Sequence, residues 1–552
     1  MRHVEVRAGL YRDSVRLMEI SRALADLPGV DAALVAMATG LNLDLLSGMG
    51  FAAPDKARAN DMLVALVAQD DTTLSVALDR LSAELAGARK GTLQSPLVPE
   101  GAPAYSVPPR TVGSAVRAFG ASLALVSTPG RYAFLDAMDA LDAGVSVLVF
   151  SDNVPVEQEV ALKRTAAARG LLVMGPDCGT AVVGGVGLGF ANVVRPGPVG
   201  LVAASGTGAQ QVMSLLGWAG VGISHCLGVG GRDHSAAVGG RSTHAALDVL
   251  DADPATELIV VLGKPPAAQV AEAVRSHADR LGTPVVFAPL GLGQPDLTAA
   301  AEAVLRHLGH AVPDPWPCWL PEKAGSSDGA GGRAGPAGAG GRGGASGALR
   351  GLFSGGTLCL EAMVIAAEAL GPVYSNIPLR PEWAAPPQLA PPQLTSPRDL
   401  GVVPVLRDQT TGRSPRSTQL GGESAAHVMI DLGDDEYTVG RPHPMIDAGP
   451  RLECIAAEAA DPGCRVMLLD VVLGHGAHPD PAAEFAPAIR AALAGRPEGD
   501  LAVVASLIGT AEDPQDVRRQ ADLLCEAGAR VFSSNAAAAR HAVSLLGSGG
   551  TR

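Results

Sequence analysis

A chain of 552 residues, 47% hydrophobic and 18% charged, has room for three or four domains of about 150 residues each. Its 68 glycines and scarce aromatic residues suit an α/β protein with many buried strands and tight turns. A net charge of -14 without any Lys/Arg cluster argues against a nucleic-acid partner. Seven scattered cysteines without a CxxC pair support neither a disulfide framework nor a zinc site, which fits a reducing cytoplasm.

The N-terminus, MRHVEVRAGLYRDS, has no apolar h-region, so no signal peptide is expected. Residues 1–107 read as a small α/β unit plus linker, with strands starting at 4 and spanning 32–37 and 62–68, and helices over 14–27 and 72–85. The Tyr-Arg-Asp-Ser-Val junction at 11–15 has two readings, a ligand contact or Asp13 or Ser14 capping the first helix; capping is preferred. Residues 91–109, rich in proline and polar residues, read as a linker.

Over 108–196 strands alternate with helices. Strands at 123–126, 145–150 and 171–174 end in STPG, SDNVP and GPDCGT, and helices are expected over 132–141 and 157–169. Such alternation forms a parallel sheet that takes ligands at the carboxyl ends of its strands. Ser127, Pro129, Asn153, Pro176, Asp177 and Cys178 are therefore candidate binding residues, with Cys178 more in keeping with a packed turn than with a nucleophile. The GxGxxG fingerprint is absent, since Gly185, Gly187 and Gly189 open no helix, and NAD is discounted.

A second parallel sheet is expected over 197–315, with strands at 199–204, 223–227, 258–262 and 284–288. Residues 196–231 lack Asp, Glu, Lys and Arg, yet their glycine turns favour a buried strand–helix–strand over a membrane span. After the first strand, Ser205-Gly206-Thr207-Gly208 opens a helix, leaving unpaired N–H groups at the positive end of its dipole. Gly230-Gly231-Arg232-Asp233 adds another loop with an adjacent cation, and Lys264 follows the strand at 258–262.

Residues 316–350 read as a flexible Gly-rich linker, and 351–552 as a third α/β domain interrupted by a proline-rich excursion at 381–423. Its first strand runs into Ser354-Gly355-Gly356-Thr357, which opens a helix as the turn at 205–208 does. Two such turns mark a candidate anion site, the more so if the helix starts face each other. Further strands are expected at 427–432, 466–473 and 501–507. His475 and His478 could suggest a metal, but hydrogen-bonded histidines in a strand-end turn are preferred, so no metal is expected.

The segments at 150–155, 174–180, 205–208, 230–233, 353–357 and 469–479, together with 11–15, resemble the FdrA family, which is built on the succinyl-CoA ligase scaffold. The resemblance covers nearly the whole chain. It implies a Rossmann-like CoA-binding-type domain followed by two flavodoxin-like ligase domains, whose facing helices hold a phosphohistidine in the ligase. The turns at 205–208 and 354–357 fall at the starts of those helices. In place of the segment that carries the histidine stands FAPLGLG at 287–293, Lys264 replaces an expected acidic residue, and no ATP-grasp region is present.

The resemblance therefore implies an enzyme subunit that handles a ready-made acyl phosphate. Its leading form joins carbamoyl phosphate and oxamate into oxalurate and phosphate, or the reverse, in allantoin catabolism. Ser205, Gly206, Thr207, Ser354, Gly355, Gly356 and Thr357 would hold anionic oxygens, and Arg232 and Lys264 would neutralise their charge. The expected partners are small anionic substrates and companion subunits in the cytoplasm, with no nucleic acid and no membrane; no cofactor is required, though the scaffold admits CoA. The alternatives are an ADP-forming acyl-CoA synthetase or succinyl-CoA ligase subunit and a non-catalytic scaffold.

Overall fold

In the computed structural model, residues 1–92 are described except positions 9, 11–13, 26, 53, 55–56 and 59–60, followed by 109–321, 347–386, 426–438 and 442–547. The expected linkers at 91–109 and 316–350, the excursion at 381–423 and the junction at 11–15 lie wholly or largely outside these residues. The chain divides into one unit made chiefly of Met1–Pro108 and a larger second unit.

The N-terminal unit comprises β1 (Arg2–Arg7), α1 (Ser14–Ala25), β2 (Val30–Met37), α2 (Gly40–Gly48), β3 (Met62–Ala68) and α3 (Asp71–Thr92). The strands form an antiparallel sheet in the order β1-β3-β2. β3 is apolar throughout because both of its faces are covered. Met62, Val64 and Leu66 pack with Leu17, Ile20 and Leu81 of α1 and α3, whereas Leu63 and Ala65 pack with Leu46 and Phe51. The helix α2, GLNLDLLSG, was not expected; its apolar residues are spread around the axis, so it lacks the stripe that signals an amphipathic helix.

The second unit opens with α4 (Val112–Phe119), β4 (Leu123–Val126), α5 (Gly130–Asp142), β5 (Ser146–Val149), α6 (Val156–Ala168) and β6 (Val173–Met174). These strands make a three-stranded parallel sheet, β4-β5-β6. There follow β7 (Thr180–Val183), β8 (Val186–Gly189), β9 (Val199–Ala203), α7 (Gly206–Trp218), β10 (Ile223–Gly228), α8 (Arg241–Asp251), β11 (Leu258–Gly263), α9 (Ala268–Ala278), β12 (Val285–Pro289) and α10 (Leu297–His307). Their sheet runs β12-β11-β9-β10-β7-β8. It is mixed rather than wholly parallel. Gly184 and Gly185, both at positive φ, turn β7 back into β8, and this hairpin adds antiparallel to β10 although it precedes residue 197.

The remaining elements are β13 (Cys318–Trp319), β14 (Ala348–Phe353), α11 (Gly356–Leu370), β15 (Val373–Tyr374), β16 (His427–Asp431), α12 (Asp435–Thr438), α13 (Gly449–Ala460), β17 (Cys464–Val472), α14 (Pro481–Ala494), β18 (Ala502–Ile508), α15 (Val517–Glu526), β19 (Arg530–Phe532) and α16 (Asn535–Leu546). They build a seven-stranded sheet, β13-β19-β18-β17-β14-β16-β15, parallel except for β13. One hydrophobic core runs continuously through this sheet and the six-stranded one, taking in Met213 and Leu216 of α7, Leu358 and Ala362 of α11 and Ala539 of α16. Burial around the whole circumference of α7 explains its lack of charged residues. No described helix is long and apolar enough to cross a membrane.

Candidate functional site

The starts of α7 and α11 meet. Ser205 is extended, and its Oγ accepts the Gly208 N–H at 3.0 Å while donating to Thr357 Oγ1 at 2.5 Å. The Thr357 hydroxyl proton is thus left to point elsewhere. The glycines permit this approach: a Cβ on Gly355 would stand 2.7 Å from Thr207 Oγ1, and one on Gly208 3.0 Å from Thr357 Cγ2. The N–H groups of Gly206 and Thr207 on one helix, and of Gly356, Thr357 and Leu358 on the other, find no protein acceptor among the described residues.

The second turn is not wholly open to a ligand. The fully buried Asp470, on β17, takes the N–H groups of Ser354 and Gly355, both at 2.9 Å, and the Ser354 hydroxyl at 3.1 Å. Arg451, on α13, balances this carboxylate at 2.8 Å and also donates to the carbonyls of Leu352 and Asp470. Ser354 and Gly355, expected to hold substrate oxygens, instead hold an internal anion. A buried carboxylate needs hydrogen bonds and a cation, and the helix start supplies the former.

Above the helix starts lies a group of carboxylates and cations. A Cβ on Gly356 would collide with the Asp431 carboxylate, so this acid also sits at the start of α11. Burial pushes Asp431 up to about 7; the Gly433 N–H and Lys264 pull it down, while Asp434 and Asp470 raise it further. Asp177, at φ 58, is open to solvent on one side, yet the protein around it, with Asp435 and Asp152, raises it to about 7 against Arg232 and Lys264. Lys264 is exposed, makes no ion pair among the described residues and acts on both Asp177 and Asp431. His443 accepts the Met445 N–H on Nδ1, which leaves its proton on Nε2; burial and Arg451 hold it at about 4, hence neutral.

Arg232 is not the free cation expected. Its Nε lies 3.0 Å from Glu159 and its Nη2 donates to the Val154 carbonyl at 2.7 Å. Beside it the buried Lys163 bonds Glu159 and Asp233, each at 2.8 Å, and Asp233 accepts the N–H groups of Ser242 and Thr243 at the start of α8. Gly230, at φ 84, packs on the Pro176 carbonyl, and Gly231 follows it, so this loop is a packed turn. Cys178 is buried and its thiol is pushed up to about 12 by that burial, which suits packing and not nucleophilic attack. The turns carrying Ser127 and Pro129 and carrying Asn153 pack on each other, because a Cβ on Gly130 would strike the backbone of Asp152 and Asn153. His478 accepts the Asp480 N–H and pairs with Glu484 at 3.3 Å, while His475 pairs through its main chain with Ala191. No group of three potential metal ligands occurs among the described residues.

Asp431, Asp470, Arg451 and His443 are not among the site residues expected from the sequence. The signal for Asp470 was available: it is the one charge in the otherwise apolar run at 466–473, and a charge there requires a buried partner.

Residues 352–545 match the CoA-ligase family model, and residues 1–96 match that of the AllF heavy metal-associated domain. YahF of Escherichia coli (strain K12) is 33% identical over 550 residues, spanning 96% of each chain. The malate–CoA ligase alpha subunit of Methylorubrum extorquens is 27% identical over 209 residues, 36% of this chain and 67% of that one. The ADP-forming succinate–CoA ligase alpha subunit of Aquifex aeolicus is 27% identical over 205 residues, 36% of this chain and 64% of that one. Residues 1–96 contain no cysteine, and their single histidine, His3, stands 3.6 Å from Glu5, so a heavy metal would find neither thiolates nor a pair of imidazoles in this segment.

Proposed function

Since the chain belongs to the family of Escherichia coli YahF and carries a CoA-ligase domain at 352–545, we propose that it is a subunit of an enzyme that handles an acyl phosphate between the starts of α7 and α11. The observation that carries this reading is the Ser205–Thr357 hydrogen bond, which joins two helix starts with unpaired N–H groups on both. Five N–H groups, two helix dipoles and the free Thr357 hydroxyl proton can hold phosphoryl oxygens and stabilise charge that develops on them.

The resemblance to the FdrA family supports a finer reading. The segment at 287–293, FAPLGLG, has no histidine to carry phosphate from ATP, so the acyl phosphate arrives ready made. With carbamoyl phosphate as donor and oxamate as acceptor, the amide nitrogen of oxamate attacks the carbamoyl carbon and the bond to the phosphate oxygen breaks. Oxalurate and phosphate leave, and the amide proton passes to Asp431, whose value near 7 suits proton exchange at neutral pH. Lys264 supplies the neutralising charge, and the reaction needs no covalent intermediate on Cys178. The companion subunits, the cytoplasmic location and the place in allantoin catabolism belong to the same reading.

A second reading, an ADP-forming acyl-CoA synthetase subunit whose ATP-grasp module and relay histidine come from elsewhere, is favoured by the malate–CoA and succinate–CoA ligase relatives. Thr357→Val tests the shared premise. It keeps the shape and removes the hydroxyl, and turnover should fall by about a hundredfold. Unchanged turnover would end both readings.

A further inference from the structure

A cavity of about 260 Å³ opens at the carboxyl ends of β11 and β12, beside the helix starts. His234, Lys264, Arg275, Phe287, Leu292 and Gln294 line it, and its walls hold two cations and no carboxylate. Neither Lys264 nor Arg275 makes an ion pair among the described residues; the Arg275 guanidinium lies 5.9 Å from the centroid of the Phe287 ring. Residues 287–293 thus form one wall of an electropositive recess.

His234 gives the recess a second requirement. It is only 8% exposed, and its Nε2 lies 3.1 Å from Thr243 Oγ1. That hydroxyl spends its own proton on Asp233 at 2.7 Å, so it accepts from His234, and the imidazole proton resides on Nε2. Nδ1 is left as a buried acceptor that makes no hydrogen bond in bonding geometry, with the Lys264 main chain beside the ring. Gly263 borders it, since a Cβ there would come within 3.3 Å of Nδ1. A buried acceptor without a donor is costly, and a ligand bearing an N–H or O–H would relieve it.

We propose that this cavity binds a small carboxylate that also carries an N–H or O–H donor. The carboxylate pairs with Lys264 and the Arg275 fork, the donor meets His234 Nδ1, and Phe287 and Leu292 cover the apolar body. The site is the acceptor subsite of the reaction proposed above; its role in turnover rests on that reading, and its binding does not.

Calorimetric titration of the full chain with oxamate tests it, with pyruvate as the isostere that replaces the amide NH2 by a methyl group. Oxamate should bind once per chain, and pyruvate about tenfold more weakly. Arg275→Gln, at an exposed position, should weaken oxamate about tenfold without moving the melting temperature. No binding of oxamate, equal affinity for pyruvate or indifference to Arg275→Gln would each overturn the site. Binding without turnover in the reconstituted complex would defeat the proposed reaction and leave this site standing. Turnover indifferent to Arg275→Gln would leave the proposed reaction standing and overturn this site's role as its acceptor subsite.

Discussion

Replacing Asp470 by Asn tests whether the α11 start depends on its internal anion. The native carboxylate accepts from the Ser354 and Gly355 backbone and from the Ser354 hydroxyl, and pairs with an Arg451 that is 2% exposed. Asn keeps the volume and one acceptor oxygen, but it turns an NH2 group toward donors and leaves the guanidinium without its counter-charge. Burial already holds Arg451 below its ordinary value, so the lost partner cannot be replaced by water. Breaking a buried pair from one side costs about 3–5 kcal/mol. Adding Arg451→Met removes the stranded charge while keeping an apolar stem beside Phe485, so the double variant should recover part of that loss. Urea unfolding followed by far-UV circular dichroism measures all four corners of the cycle. A loss below about 1 kcal/mol for Asp470→Asn, the scale of an exposed pair, or strictly additive effects, would refute the reasoning.

Ser205→Ala should lower stability by only about 1 kcal/mol, the value of a helix cap, while turnover falls much further; comparable small losses in both would reduce Ser205 to a cap. Asp431 titrates near 7 in the fold and near 3.8 when exposed, so the folded state binds the extra proton and stability rises as pH falls between those values, by about 1.4 kcal/mol per unit. Asp431→Asn should remove that part of the slope in unfolding experiments between pH 4 and 8, and an unchanged slope would contradict the assignment. Lys163→Met strands the buried Asp233 and leaves Glu159 with Arg232 alone, and should cost about 3–5 kcal/mol in urea unfolding; a loss under about 1 kcal/mol would mean the cluster is solvated.

The succession of βα units and both helix starts could be read from the sequence because their determinants are local: apolar runs that end in Ser, Gly and Thr. The partners that make the site were not, since they act across long separations. Asp470 reaches Ser354 from the neighbouring strand, and Arg451 reaches Asp470 from α13. Glu159 and Lys163 stand four residues apart on α6, a spacing that reads as a solvent-exposed pair, yet both are buried under the loop that carries Asp233 and Arg232. That burial explains why Arg232 cannot serve as a free cation. The short strands β13, β15 and β19 and the hairpin β7–β8 escaped because two to four residues carry too little pattern to be distinguished from turns.

In the proposed function the facing helix starts hold a ready-made acyl phosphate and do not relay phosphate from ATP. The most direct measurement combines the chain with its companion subunits and supplies two substrate sets side by side, carbamoyl phosphate with oxamate, and ATP with CoA and succinate or malate. Phosphate release with oxalurate formation is expected from the first set, lost in Thr357→Val, and little or no ADP or CoA thioester from the second. Thioester formation from the second set, with the first set inert, would contradict it and make the chain an ADP-forming ligase subunit.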